Sequence, residues 1–109
     1  MQLPYADRAV VPVRKITEYL LNEAHPQGRT KAAFFQRLGF RREQPDQLQR
    51  ALLQLAQTSD MTETAFAFGR KYAGVGVITA PNGRRVRLVT VWVLRANQPP
   101  PVLVTAYPA

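Results

Sequence analysis

His25 is the only histidine in the chain. It stands in a turn signature, His25-Pro26-Gln27-Gly28, and Arg29, Thr30 and Lys31 follow at once. Imidazole is the side chain that exchanges protons near neutral pH without tuning, and a lysine and an arginine beside it can hold the charge of a phosphorane. That combination suits metal-independent cleavage of RNA, in which the ribose 2′-hydroxyl attacks phosphorus. One group takes the hydroxyl proton, a second protonates the departing 5′-oxygen, and cations stabilise the charge between them. On this reading His25 is the base or the acid, and Lys31 and Arg29 are the electrostatic stabilisers. Thr105 or Tyr107, from the end of the chain, supplies a hydrogen bond. Backbone N–H groups at the start of the helix after Thr30 offer a further phosphate site. Plainer roles compete: a turn histidine as a structural hydrogen-bonder, Thr30 as a helix cap, Lys31 as a solvated helix residue.

The charge balance points the same way. Fifteen Lys and Arg against seven Asp and Glu give a formal charge of +8, and the sequence pI is about 10.9. Twelve of the fifteen cations are arginine, the residue whose planar fork matches phosphate. A polyanion, RNA or other nucleic acid, is therefore the expected partner, with Arg84, Arg85, Arg87, Arg41 and Arg42 as candidate phosphate contacts. The competing reading is a solvated basic surface or one that meets an acidic protein.

Other chemistries are poorly served. With no cysteine there is neither a disulfide nor a thiolate metal site, and zinc would need at least two carboxylates beside His25, whereas the acids are scattered. Asp7, Glu18, Glu23 and Glu63 share no glycosidase-like spacing. Ser59 is the only serine and lies in no elbow motif. Gly74-Val75-Gly76 lacks the third glycine and the following helix of a dinucleotide loop. No metal or cofactor is expected. The first residues lack the apolar run of a signal peptide, and no stretch approaches about 18 consecutive apolar residues. The expectation is a cytoplasmic protein with no membrane partner.

The elements that must position these residues follow from periodicity. A length of 109 residues fits one domain, 1–109. Residues 1–11 read as an extended lead-in. Pro12 opens a helix whose stripe is Val13, Ile16, Tyr19 and Leu20, running to about Asn22. Thr30 caps a second helix that buries Phe34, Phe35 and Leu38 and stops at Gly39. Pro45 and Asp46 start a third, reaching Ser59, with Leu48, Leu52, Leu55 and Ala56 inward. Residues 63–80 turn to β-prone and glycine-rich, and Pro81-Asn82-Gly83 marks a turn. In Arg84–Ala96, Val86, Leu88, Thr90, Trp92 and Leu94 share one face and Arg85, Arg87, Val89, Val91, Val93 and Arg95 the other. The middle is apolar on both faces, so the run belongs in the centre of a sheet. Asn97–Pro101 reads as a loop and Val102–Tyr107 as the last strand. The fold class is α+β, with N-terminal helices packed on one face of a C-terminal antiparallel sheet of three to four strands.

Several segments together resemble a family of small bacterial domains of unknown function. They are Leu3-Pro-Tyr-Ala-Asp-Arg-Ala-Val10, the run from Tyr19 to Phe35 with its His-Pro-x-Gly-x-x-Lys-Ala core, Asn82-Gly83, Thr90-Val-Trp92, and Leu103-Val-Thr-Ala-Tyr-Pro108. Many members carry Asp-Gly where this chain has Ala73-Gly74. The layout is similar to that of the metal-independent ribonuclease toxins of the barnase, EndoU, colicin and RelE group, which draw catalytic residues from both helices and sheet. What the resemblance implies is a toxin-like ribonuclease domain of a toxin–antitoxin or polymorphic toxin system, neutralised by a small acidic antitoxin or immunity protein. The alternative is a non-catalytic basic module that binds nucleic acid or an acidic protein.

Overall fold

The structure, a computed structural model, describes residues 1–96 and 98–109. Its longest helix, α3 (Pro45–Thr58), carries Leu48, Leu52, Leu55 and Ala56 at helical spacing, and all four are buried. Pro45 suits the first turn because its missing N–H would have had no partner there. Before it, α2 (Arg29–Arg37) buries Ala32 and Phe35, and Gly39 at φ +98° takes the left-handed conformation that ends the helix without a Cβ penalty. The first helix, α1 (Val13–Lys15), continues directly as a π-helical stretch, Ile16–Leu20.

Four antiparallel strands follow in sequence order: β1 (Asp60–Phe66), β2 (Gly69–Thr79), β3 (Arg85–Arg95) and β4 (Gln98–Pro108). The chain is thus α+β, with three helices N-terminal to a four-stranded sheet. β3 lies inside the sheet, as its two-sided apolar middle demands. One face, through Tyr72, Ile78, Leu88, Thr90, Trp92, Leu103 and Ala106, joins the core beneath the helices. Gly76 lies where a Cβ would come within 2.4 Å of the Leu55 side chain, so the missing side chain is what lets α3 sit on β2. The opposite face stays open, with Val75, Val77 and Tyr107 42%, 46% and 39% exposed.

At the rim of the core, the Tyr72 hydroxyl donates to Glu63 Oε1 at 2.7 Å, and Arg70 holds the other carboxylate oxygen at 3.0 Å. Burial, then the hydrogen bond and charge of Glu63, push the Tyr72 phenol up to about 12. The folded state therefore keeps a proton that the unfolded chain releases near pH 10. The contribution is complete below pH 10 and is lost between pH 10 and 12. Denaturant melts across that window should show a loss of about 1–2 kcal/mol, allowing for solvent screening, and Tyr72→Phe should flatten it. An unchanged slope in the variant would count against this origin.

Four local expectations are corrected. Val13 is 48% exposed and Leu21 is buried. The Leu21 N–H donates to the Ile16 carbonyl at 2.8 Å, an i to i+5 bond that widens the turn and rotates the stripe. Thr30 lies inside α2 and makes no cap; the N-terminal flanking residue is Gly28. The expected loop over Asn97–Pro101 is already β4 from Gln98 onward, Asn97 itself lying outside the described residues; prolines are tolerated there because β4 is an edge strand. Finally, the lead-in is more than an extension. It holds a short 3₁₀ turn, Ala6–Arg8. The Met1 carbonyl accepts from Met61 N–H at 2.6 Å, and Val10 pairs with β4 through Val10 N–H to the Pro101 carbonyl (2.9 Å) and Leu103 N–H to the Val10 carbonyl (3.0 Å).

Candidate functional site

The π-helical stretch and β4 meet at one hydrogen bond. The hydroxyls of Tyr19 and Thr105 lie 3.0 Å apart although 86 residues separate them in sequence. A bulge aims Thr105. Val91 pairs with Thr105 but Trp92 pairs with Leu103, so Val104 is an extra residue, and such insertions bend a strand and redirect its side chains. Around the Tyr19 ring stand His25, edge-on with ring centroids 5.1 Å apart, Lys15 with Nζ 5.4 Å from the ring centroid, and Lys31 at 5.6 Å. Two hollows of about 430 and 390 Å³ share Lys15, Tyr19 and His25 as walls. Arg14 and Glu18 line the first, Gln27 and Thr105 the second.

The turn residues earn their places by packing. A Cβ on Gly28 would lie 2.4 Å from the Tyr19 carbonyl oxygen and 3.0 Å from Cδ1 of its ring, so glycine is what lets the turn close on Tyr19. His25 Nδ1 accepts hydrogen bonds from the backbone N–H groups of Gln27 and Gly28, both at 3.0 Å. The imidazole thus satisfies donors leading into α2, the task expected of Thr30. With the Nδ1 lone pair engaged, the neutral ring carries its proton on Nε2 and presents a hydrogen-bond donor rather than a free base.

The tuned group is Tyr19. Partial burial opposes its ionisation, but the Thr105 hydrogen bond, the adjacent Lys31 and the charge of Lys15 outweigh this and hold the phenol below its usual 10.0. The site therefore gathers two ammonium groups, an imidazole N–H and a phenol that ionises more readily than an ordinary tyrosine, with a hydroxyl beside it. That set can bind a phosphodiester and move a proton without a metal. Among the described residues, no group of three or more acidic, histidine or cysteine side chains is placed to hold a metal ion.

Of the residues predicted for chemistry, His25, Lys31 and Thr105 converge on Tyr19. Arg29, the first residue of α2, and Tyr107, two residues beyond Thr105, line neither hollow, and Lys31 is also outside both linings although it stands over the Tyr19 ring. Arg84, Arg85, Arg87, Arg41 and Arg42 are exposed and also lie off the hollows. Arg85 and Arg87 pair with Thr79 and Val77 of β2, on the open side of the sheet, while Arg42 Nε donates to the Thr17 carbonyl at 2.7 Å. Tyr19 and Lys15 were missed as functional candidates. Their signal was faint: a tyrosine at the margin of an apolar stripe with a lysine four residues before it. Another hollow, about 500 Å³, is bordered by Tyr5, Phe66, Arg70, Arg95 and Pro99 and brings together two arginines but no imidazole or lysine.

This arrangement of helices over a meandering sheet has a solved counterpart. A chain of a contact-dependent growth inhibition toxin–immunity protein complex from Klebsiella pneumoniae 342 superposes with a TM-score of 0.72 over 94% of this chain and 95% of its own, at 13% identity. At that identity the likeness defines a shared fold. Residues 2–109 match the family described as Domain of unknown function (DUF6883), and the chain belongs to that family. A search of curated proteins finds no significant sequence match. No helix among the described residues is long and apolar enough to cross a membrane.

Proposed function

We propose that this chain is a toxin-like domain that cleaves RNA without a metal, using the cleft between the π-helical stretch and β4. The observation that carries the reading is the convergence of His25, Lys31, Lys15 and Thr105 on Tyr19 from four separate parts of the chain. The likeness in fold to a chain of a toxin–immunity complex supports the toxin half of it, and the +8 charge supports a polyanionic substrate. A phosphodiester in the hollow would lie against the Lys15 ammonium, with Lys31 close by over the Tyr19 ring and His25 Nε2–H donating to a non-bridging oxygen. The cations then stabilise the phosphorane, whose charge exceeds that of the ground state, while Thr105 holds the Tyr19 hydroxyl in place. Arg29, Arg41, Arg42, Arg84, Arg85 and Arg87 extend the basic surface along which the rest of the strand lies, and Tyr107 contributes to its edge. The neutralising partner is a small acidic protein, and the cytoplasm, where RNA is abundant, is the place of action.

The test is incubation of the pure protein with bulk RNA in the presence of a chelator, beside His25→Ala and Lys31→Ala. Cleavage by the wild type that falls at least about 100-fold in each variant is expected, since positioned proton-transfer and charge-stabilising groups are each worth factors of this size. Cleavage equal in all three proteins would overturn the site. Absence of cleavage, together with salt-dependent RNA binding that persists in His25→Ala and drops when Arg84, Arg85 and Arg87 are neutralised, would favour the non-catalytic binding module. The observation that keeps that second reading alive is the open sheet face, where exposed valines of β2 lie next to Arg85 and Arg87.

A further inference from the structure

We propose that Tyr19 is the catalytic base, the group that takes the proton from the ribose 2′-hydroxyl. The inference rests on the ribonuclease reading and deepens it by assigning the role that His25 cannot fill in this geometry. His25 spends its Nδ1 lone pair on the N–H groups of Gln27 and Gly28, which leaves Nε2 protonated and without a lone pair to offer. A basic oxygen has to come from elsewhere. Arg14 and Glu18 stand on the outer wall of one hollow, paired with each other at 3.1 Å, so the one carboxylate nearby is already engaged. The remaining titratable side chain with an oxygen, and one that lines both hollows, is Tyr19.

Burial opposes ionisation of that phenol, and the charged and hydrogen-bonding groups around it favour the ionised form. Lys15 comes from the same helix and Lys31 from α2, their ammonium groups 5.4 and 5.6 Å from the ring centroid. Thr105 comes from β4 and can donate its hydroxyl proton across 3.0 Å to a phenolate. His25 presents a neutral ring edge-on. The direction of the Tyr19 shift agrees with this geometry.

The step balances as follows. The Tyr19 phenolate accepts the 2′-hydroxyl proton as the 2′-oxygen forms its bond to phosphorus. The bond from phosphorus to the 5′-oxygen breaks, and that oxygen leaves with a proton from the Lys15 or Lys31 ammonium. The products are a 2′,3′-cyclic phosphate and a 5′-hydroxyl. The phenol then loses its proton to solvent and the amine regains one. Thr105 acts through Tyr19 as a positioning residue.

Tyr19→Phe keeps the ring on which Gly28 and His25 pack, so the variant should fold. The experiment compares wild type, Tyr19→Phe and Thr105→Val in pH profiles of RNA cleavage and in ultraviolet titrations of tyrosinate. Expected is a fall of about 100-fold or more in kcat for Tyr19→Phe and a rising limb that continues well above the ordinary imidazole range near 6.5. One tyrosinate should form before the other three of the four tyrosines and be missing from Tyr19→Phe. In Thr105→Val the rising limb and this first tyrosinate should move together to higher pH, a shift that a purely structural threonine would not produce. Cleavage by Tyr19→Phe within threefold of wild type overturns the assignment and leaves the ribonuclease reading standing. So does a limb that levels off near 6.5 in wild type and variants alike. A wild type that cuts no RNA between pH 5 and 10 overturns both.

Discussion

Trp92→Ala is expected to cost the fold about 3–5 kcal/mol, the range for emptying a large aromatic site in a core. Trp92 is fully buried at the centre of β3, paired with Tyr72 on one side and Leu103 on the other. Its indole N–H donates to Thr90 Oγ1 at 3.0 Å, and Thr90 is itself buried. Truncation therefore removes the packing and leaves a buried hydroxyl without its donor, and the two losses act together. Against a total stability of about 5–15 kcal/mol for a domain, the variant should lose much of its urea midpoint, read by circular dichroism because the sole tryptophan is gone. An unfolding free energy within about 1 kcal/mol of wild type would show that the sheet does not depend on this side chain.

Gly28→Ala is expected to strike the site and the fold together. The backbone at Gly28, φ −98° and ψ −14°, is open to alanine, so the penalty is contact alone. A new Cβ at 2.4 Å from the Tyr19 carbonyl forces either the turn or the π-helical stretch to retreat. Overpacking of this kind costs about 1–3 kcal/mol. Displacement of Tyr19 from Thr105 should reduce RNA cleavage by about 100-fold, since misplacement of about 1 Å carries that penalty. Activity assays below the melting range separate the two effects. Full activity in a folded Gly28→Ala protein would show that the turn does not set the position of Tyr19.

These two residues also mark what could be read in advance. Trp92 lies on a β-prone run whose middle is apolar on both faces, and that pattern reports the interior position of a strand through local sequence alone. The third helix was legible for the same reason: Leu48, Leu52, Leu55 and Ala56 repeat at its period. Gly28 and Tyr19 were opaque in a different way. The value of the glycine lies in a contact between two elements, and Tyr19 is presented by a π-helical turn that no 3.6-residue periodicity describes. The convergence of His25, Lys31 and Thr105 was expected as a possibility, but the group that unites them was read as a marginal member of a helix stripe. His25 itself was singled out for its chemistry, whereas its Nδ1 proves to be committed to the backbone. The bulge at Val104 left no local signature, because an extra residue becomes visible only when the partner strand is placed beside it.

The lead-in segment has a bearing on the order of assembly. It is hydrogen-bonded to β1 near Met1 and to β4 near Val10, so the stretch that enters first along the chain cannot settle until the last strand exists. The contact between Tyr19 and Thr105 spans nearly as much sequence. Pairings of such long separation are favoured only after the intervening chain has lost its loop entropy. The first strands and α3 can therefore form a nucleus while the cleft is still in pieces, and the cleft is complete only once the final closure is made. In this architecture a partly folded chain lacks the assembled cleft.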